Sequence, residues 1–472
     1  MNIDKHYYFY LFVSFVFLGI VSFDLFSDGM FMDGLMYASI SRNISEGLGS
    51  FWQPHFSNTL LNEFYEHPPL AFGLQSIWFK IFGDSIYVER LYSLFTYIVV
   101  GYLIVLIWGK LTNSRKTAWI PLFFWVITSD VLWSVSNNML ENTMTIFVCL
   151  SVFFYFKSIE KKRFLWIVLS GFSLSFGLLT KGFFCLYIWS IPFFIWLFKR
   201  ERPFMYMLKD TIILIFSTVL PIALLYFIIP AAKNNMLHYF NKQVMGSIKE
   251  VITVDTRLNI IFVFLRNIIP HISIAALIGI IAFRKNSDKN LLLKNLKVSL
   301  VLFAIVLAGI LPIMISMKQR SFYILTVYPL FALSLAYFLY PVLKPVIDGI
   351  KTGSKGFKIF KIFTILIFIS GIILSVMQVN KIGRDKAVIN DCKAIIDVVG
   401  KNSTINICQN MHSIWNLHGY FARYGNVSLD RDQNNMCKYY LSANGCNIDY
   451  LREYYELVPL ETNHYKLYRL KE

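Results

Sequence analysis

The acidic side chains best placed for chemistry lie next to long apolar runs. Asp33 occurs in "FMDGLMYASISRN", just after the first such run, and Glu66 with His67 occurs in "FYEHPPL", where a Pro-Pro pair fixes the backbone. Glu141 occurs in "SNNMLENTM", in a loop without Lys or Arg. A carboxylate at a membrane boundary is suited to accept a proton from a hydroxyl, although a solvated loop acid is the simpler alternative.

Basic side chains occupy comparable boundary positions. Lys181 lies in "LLTKGFF", in a short turn between two apolar runs, and Lys318 and Arg320 lie in "ISMKQRSFYILTVYP", just before Tyr323. The commoner explanation for such a lysine is a snorkelling anchor. Cations gathered on one membrane face are also suited to neutralise a lipid phosphate.

The elements that must position these residues are membrane helices. The chain has 472 residues, of which 56% are hydrophobic and 15% are charged, and its mean hydropathy is +0.54. Apolar runs of about 17 to 25 residues are long enough to span a bilayer as helices. The first, from Tyr7 to Phe23, has no small-residue cleavage site and predicts a retained helix. Ten further runs, giving about eleven spans, centre near residues 98, 125, 148, 172, 190, 220, 271, 306, 332 and 368.

The distribution of charge predicts the topology. The net charge of +17 comes mainly from alternate loops, which the positive-inside rule assigns to the cytoplasm. These loops are 110–116, 157–163, 199–209, 284–297 and 344–361. The loop 24–85 carries only Arg42 and Lys80 as bases and seven acids, which predicts an external position. We therefore expect a cytoplasmic N-terminus and an external C-terminus, and we attribute the excess charge to topology and not to nucleic-acid binding.

The external loop 24–85 is predicted to contain two juxtamembrane helices. In the first, apolar residues recur every four positions, which predicts an amphipathic helix lying in the membrane interface. These residues are Met36, Ile40, Ile44 and Leu48. The second helix is expected to begin at Pro68–Pro69 and to end at Gly83.

The tail, residues 382–472, is predicted to be a small external α/β domain that follows a membrane domain of residues 1–381. "STINIC" and "VSLDR" read as strands around a helix in "IWNLHGYFARYG", and "YELVPLETNHYKLYRL" reads as a hairpin. The tail contains four cysteines, for which disulfides and buried thiols both remain open: Cys392, Cys408, Cys437 and Cys446.

The order of these motifs resembles that of a known family. "MDGLMYASISRNISEG", "FYEHPPLAFGLQSIWFKIFGDSIYVERLYS", "NNMLENTM", "GLLTKG" and "SMKQRSFYIL" together resemble the GT-C glycosyltransferases of the protein O-mannosyltransferase and aminoarabinose transferase (ArnT-like) group. The resemblance implies a GT-C fold and an inverting enzyme of the bacterial inner membrane. It also implies transfer of a sugar from a polyprenyl-phosphate donor to a lipid, glycan or protein hydroxyl at the external face.

The same resemblance implies roles for individual residues. Catalytic roles fall to three acids, with Asp33 as the base: Asp33, Glu66 and Glu141. Binding of the donor phosphate falls to five residues: His67, Lys181, Lys318, Arg320 and Tyr323. This chain departs from the family pattern where Gly34 replaces a second acid, where His67 replaces a lysine, and where Glu141 replaces an aspartate. His67 would make donor binding sensitive to pH.

Two other functions compete with glycosyl transfer. A transporter or flippase of lipid-linked saccharide should show repeated halves and ionisable sites near the bilayer midplane, and neither is evident in the sequence. A structural scaffold would explain the spans but not the external acids and bases. There is no nucleotide-phosphate motif. Glu66 with His67 could form part of a divalent-metal site, but two ligands are too few to assert one, and metal dependence stays open. The sequence fixes neither the sugar nor the acceptor.

Overall fold

Helices dominate the computed structural model, which describes residues 4–249, 251–285, 293 and 295–471. The α-helices are α1 Lys5–Leu25, α2 Met32–Ser45, α3 Leu70–Phe82, α4 Val88–Thr112, α5 Trp119–Val126, α6 Ser129–Ser136, α7 Leu140–Ser158, α8 Arg163–Lys181, α9 Ile191–Lys199, α10 Phe204–Ile228, α11 Pro230–His238, α12 Gly246–Lys249, α13 Asn259–Lys285, α14 Leu296–Ile310, α15 Tyr328–Asp348, α16 Lys355–Val376, α17 Lys386–Val399, α18 Trp415–Gly425 and α19 Ile448–Tyr454. Short 3-10 helices cover Phe183–Ser190, Leu311–Ile315, Ser321–Val327 and Gln409–Met411, and a π-helix covers Tyr239–Met245.

The membrane part of the fold agrees with the predicted polytopic class. Within the described ranges, nine helices are long and apolar enough to span a membrane, and there are ten if α5 and α6, bent by 76°, form one span. One of the eleven predicted runs, the sixth, near residue 190, is a 3-10 helix continued by α9, and it is too short to count among the candidate spans. The predicted cytoplasmic loop 284–297 lies largely outside the described residues.

The first loop contains both predicted helices, but one of them lies in a different environment. Helix α3 follows Pro69 and ends at Gly83, whose φ of 76° suits a glycine C-cap, as predicted. Helix α2 is not an interfacial amphipathic helix, because every residue from Gly34 to Asn43 is buried. Its polar face is covered by the tail, where Arg42 donates hydrogen bonds to the backbone carbonyls of Ala422 and Arg423.

The tail has the predicted strands and helix. A five-stranded sheet has the order β2-β1-β3-β5-β4, in which β1 pairs in parallel with β2 and β3 and the remaining pairs are antiparallel. The strands are β1 Thr404–Ile407, β2 Ser428–Asp430, β3 Tyr439–Ser442, β4 Tyr455–Leu457 and β5 Lys466–Leu470. No sequence pattern had marked β3 or the helices α17 and α19. Cys408 and Cys446 form a disulfide, whereas Cys392 and Cys437 are free thiols.

The tail packs against the first loop and makes one layer with it at one end of the membrane helices. Met30 and Leu35 of the first loop belong to the tail's own hydrophobic core. The buried guanidinium of Arg423 pairs with Glu89 at 2.9 Å and with Asp84 at 2.5 Å. Removing one partner of a buried pair of this kind typically costs about 3–5 kcal/mol, so loss of Arg423 or Glu89 should weaken the contact between the tail and the start of α4.

Candidate active site

A cavity of about 930 Å³ lies beneath this layer and collects seven of the eight predicted site residues. The eighth, Glu141, contacts one of the seven from behind the cavity wall. The side of the cavity toward the membrane helices is apolar and is formed by residues such as Leu186, Ala308 and Ile313. The tail contributes Trp415, the first residue of α18. The cavity therefore joins a charged end to an apolar channel.

Asp33 lies in the first turn of α2, where a helix N-terminus favours a negative charge. Its side chain is half-buried and faces the cavity, and within the described part of the chain its carboxylate has no hydrogen-bonding partner. Burial raises the pKa of Asp33 above 3.8, although the positive charges of Lys181, Arg320 and Lys318 act in the opposite direction. A carboxylate with a raised pKa and no partner is suited to act as a general base.

Gly34 is required by the close approach of the turn that follows α6. A Cβ at position 34 would lie 2.2 Å from the backbone oxygen of Asn137 and 2.7 Å from the sulfur of Met30. No side chain fits there without movement of the backbone. The packing therefore excludes a second acidic side chain directly after Asp33 in this structure.

We expect that restoring the doublet with Gly34→Asp, or simply adding a methyl group with Gly34→Ala, destabilises the protein. Overpacking a dense site typically costs about 1–3 kcal/mol, and contact with backbone leaves little room for relief. Thermal unfolding in detergent measures the effect. Gly353→Ala is the matched control, because a Cβ there meets nothing within 4 Å. An unfolding temperature of Gly34→Ala equal to that of the control would contradict this account of Gly34.

Glu66 and His67 line the cavity from the segment before α3. The Nε2 atom of His67 lies 3.1 Å from the hydroxyl of Tyr37, and its buried Nδ1 atom has no partner among the described residues. Burial lowers the pKa of His67 well below 6.5, and Lys181 and Lys318 lower it further. We therefore expect a neutral imidazole near neutral pH. His67 should then not make donor binding pH-sensitive in that range, contrary to the prediction from the sequence. Burial raises the pKa of Glu66, while Lys318 opposes that shift.

Lys181 and Glu141 form a buried ion pair that the sequence analysis did not predict. The Nζ of Lys181 lies 2.5 Å from a carboxylate oxygen of Glu141, and the two side chains are 2% and 1% exposed. Lys181 is therefore not a snorkelling anchor, and it ends α8 instead of lying in a turn. Glu141 does have a basic partner, supplied by another helix. No sequence pattern pointed to this partner because the charges near Glu141 were compared only within its own loop, whereas Lys181 lies on another helix.

The remaining cations come from the segment before α15. Lys318 donates a hydrogen bond to the Oε1 of Gln243 at 3.1 Å. Arg320 is exposed in the cavity and has no ion-pair partner among the described residues. The Nζ of Lys181 lies 5.6 Å from the centre of the Tyr323 ring, within the range of a cation–π contact. Three cationic side chains thus stand around the charged end of the cavity.

Sequence patterns did not mark every side chain of the cavity, and Tyr37 and Trp415 are two examples. Tyr37 was not singled out, although it lies one helical turn after Asp33. Trp415 comes from the distant tail, and no local pattern marks it as a cavity residue. Among the residues that the structure describes, no three His, Cys, Asp or Glu side chains are grouped so that they could hold a metal ion.

Part of the site, which includes Glu66, Glu141 and Lys181, lies in a region that matches a known family. Residues 66–227 match the family model "Dolichyl-phosphate-mannose-protein mannosyltransferase". The chain is 28% identical over 173 residues to the undecaprenyl phosphate-alpha-4-amino-4-deoxy-L-arabinose arabinosyl transferase of Shewanella sediminis (strain HAW-EB3). That alignment covers 35% of this chain and only 30% of the relative's length.

Similarity in fold extends much further than similarity in sequence. The crystal structure of ArnT from Cupriavidus metallidurans bound to undecaprenyl phosphate superposes with a TM-score of 0.66 at 13% identity, over 97% of each chain. The archaeal oligosaccharyltransferase AglB from Archaeoglobus fulgidus gives a TM-score of 0.53 at 12% identity, over 93% of this chain and 69% of AglB. The chain is therefore a polytopic membrane protein with the GT-C fold of the glycosyltransferases, and it resembles the protein O-mannosyltransferase and ArnT-like group.

Proposed function

We propose that this protein is an inverting glycosyltransferase that moves a sugar from a polyprenyl-phosphate donor to a hydroxyl of a lipid, glycan or protein. The observation that carries the proposal is the cavity, where an unpaired carboxylate and three cations lie at the mouth of an apolar channel. An isoprenoid chain matches the apolar part and a phosphate matches the cations. The fold similarity to an ArnT bound to undecaprenyl phosphate supports this donor class.

The reaction is a single displacement at the anomeric carbon. Asp33 takes the proton of the acceptor hydroxyl while the oxygen of that hydroxyl forms a bond to the anomeric carbon. The bond from that carbon to the phosphate oxygen breaks, and the electron pair leaves with the polyprenyl phosphate. Lys318 and Arg320 stabilise the departing charge, together with Lys181, whose own charge is balanced by Glu141. Attack opposite to the leaving group inverts the anomeric centre.

The proposal includes a location and a division of the chain. The positive-inside distribution supports an inner-membrane protein with the first loop and the tail on the external side and the N-terminus in the cytoplasm. Residues 1–381 are assigned to membrane catalysis. Residues 382–472 form the external α/β part, which covers the cavity and supplies Trp415. Lipid-linked donor and acceptor would meet beneath this cover.

A transporter or flippase is the alternative function. It requires ionisable groups along a path through the membrane. The charged residues of the cavity instead lie at helix ends, as in α2 and α8, or in connecting segments. This placement favours chemistry at one membrane face.

The pH dependence of transfer should reveal the base. Asp33 must be ionised to act, and its pKa is raised, so activity should fall as the pH decreases through a value above 3.8. Lys318→Gln removes a cation that lowers the pKa of Asp33 and should move this acid limb to higher pH. Lys80→Gln is the control and should not move the acid limb, because Lys80 is exposed and does not line the cavity. A pH profile of kcat/KM with the limb at the ordinary carboxyl value, unmoved by Lys318→Gln, would contradict the assignment.

The function is tested most broadly in cells. A deletion strain should lose one sugar modification from its surface lipids, glycans or glycoproteins, as measured by mass spectrometry. Expression of the wild type should restore it, and expression of Asp33→Asn at an equal level should not. Restoration of the modification by Asp33→Asn would show that Asp33 is not the catalytic base. An unchanged set of surface modifications in the deletion strain would count against the whole function.

A further inference from the structure

The turn between α6 and α7 holds two buried asparagines that no catalytic step uses. Asn137 and Asn138 are 6% and 4% exposed. Asn138 has a φ of 50°, in the left-handed region that asparagine tolerates better than most residues. Buried amides need hydrogen-bonding partners, because an unsatisfied one costs about 1–3 kcal/mol. Their partners show what this turn does.

Asn137 fixes the backbone just before Asp33. The backbone N–H of Phe31 donates a hydrogen bond to the Oδ1 of Asn137 at 2.7 Å. The Nδ2 of Asn137 donates to the carbonyl of Trp133 at 2.8 Å, which sets the orientation of the amide. The backbone oxygen of Asn137 also faces Gly34 at a distance that leaves no room for a Cβ. Asn137 therefore contacts the start of α2 twice, through its hydrogen bond with Phe31 and through its close packing against Gly34.

Asn138 fixes the backbone just after Asp33. Its Nδ2 donates to the carbonyl of Gly34 at 3.3 Å, and its Oδ1 accepts a hydrogen bond from the Nε2 of Gln75 at 2.7 Å. The Oε1 of Gln75 in turn accepts from the hydroxyl of Ser41 at 2.8 Å. This chain of hydrogen bonds connects the turn to α3 and returns to α2. Networks of this kind, when fully satisfied, make a buried region rigid.

We propose that Asn137 and Asn138 are positioning residues that hold the carboxylate of Asp33 toward the cavity. They act on the backbone on both sides of Asp33 and leave its side chain without a partner. The same turn leads directly into α7, which carries Glu141. It therefore also sets the base relative to the Glu141–Lys181 pair. The inference rests on the proposed function, because it assigns the turn a purpose in the reaction.

The geometry predicts a loss in turnover more than in binding. A displacement of the base by about 1 Å can cost about 100-fold in rate, because the reacting atoms must be nearly in contact. Asn137→Ala should therefore lower kcat about 100-fold and leave the KM for the donor unchanged. Gln75→Ala breaks the same network from α3 and serves as a second variant if Asn137→Ala does not fold. Asn138→Gly keeps the left-handed backbone and tests the amide alone.

The matched control is Asn142→Ala. The Asn142 amide donates to Ser134 and to Ser93 and makes no hydrogen bond with α2, so its loss reports a structural cost only. Labelling of Asp33 by dicyclohexylcarbodiimide, located by mass spectrometry, gives a readout that needs no substrate. In the wild type the pH midpoint of labelling should lie above 3.8, because burial raises the pKa of Asp33. In Asn137→Ala and Gln75→Ala it should move down toward 3.8, and in Asn142→Ala it should not move.

The outcomes separate this inference from the proposed function. Midpoints and kcat values of Asn137→Ala and Gln75→Ala equal to those of Asn142→Ala would overturn the positioning role and leave the proposed function intact. A wild type that transfers no sugar would overturn the proposed function. In that case the labelling midpoints alone would decide whether the turn places Asp33. Shifted midpoints with reduced kcat and unchanged donor KM are the expected result.

Discussion

Asp33→Asn should lower kcat for sugar transfer by about 10²–10⁴-fold, the contribution usual for a general base. The substitution keeps the shape of the side chain and removes its ability to take a proton. Affinity for the polyprenyl-phosphate donor should be kept, because Lys181, Lys318 and Arg320, the cations that we propose to hold the phosphate, are unchanged. Initial rates at saturating donor, together with direct binding of undecaprenyl phosphate, measure the two effects separately.

The control for this variant is Asp24→Asn. Asp24 is an exposed acid that does not line the cavity. Its substitution should change neither rate nor donor binding. Full activity of Asp33→Asn would exclude Asp33 as the base and would direct attention to Glu66, the other cavity carboxylate with a raised pKa.

Replacing Lys181 alone should be more damaging to stability than replacing both members of its buried pair. Lys181→Met leaves the carboxylate of Glu141 buried without its partner, which should cost about 3–5 kcal/mol of unfolding free energy. The double variant Glu141→Leu/Lys181→Met replaces both charges with apolar groups and should recover most of that loss. Thermal unfolding of the purified proteins in detergent gives the comparison.

Activity should not recover with stability in the double variant. Removing a group that stabilises a developing negative charge typically costs about 10²–10³-fold in kcat, and neither Met nor Leu supplies a positive charge. Lys110→Met is the matched control, because Lys110 pairs with Glu160 at 2.7 Å in a far more exposed setting and should contribute less than about 1 kcal/mol. A double variant that is stable and fully active would assign the pair a purely structural role.

Local patterns were sufficient for most of the membrane helices, for α3, and for α18 and four strands of the tail, but they did not mark α17, α19 or β3. Apolar runs long enough to span a bilayer predicted the membrane helices, and Pro68–Pro69 with Gly83 marked the bounds of α3. The GT-C fold was implied by the resemblance of the motif order to a known family, and the similarity to solved structures confirms it. The helix and strand patterns succeed because each of them depends only on residues that are close together in the chain.

Contacts between distant segments were beyond such patterns. The burial of α2 depends on a tail helix that follows it by several hundred residues, and Arg42 reaches carbonyls of that helix. The partner of Glu141 lies at the end of another helix, so counting charges within its own loop gave the wrong answer. Trp415 enters the cavity only because the tail packs on the first loop. Tertiary packing decides these features.

The most direct measurement of the account follows the fate of the donor. Purified protein is mixed with an undecaprenyl-phosphate-linked sugar and with lipids and glycans extracted from the cell envelope as acceptors. The account predicts that free undecaprenyl phosphate appears in equal amount to a newly glycosylated acceptor, with the anomeric centre inverted, and that Asp33→Asn forms neither. Movement of the intact donor across a vesicle bilayer, without release of undecaprenyl phosphate, would contradict it and favour a flippase.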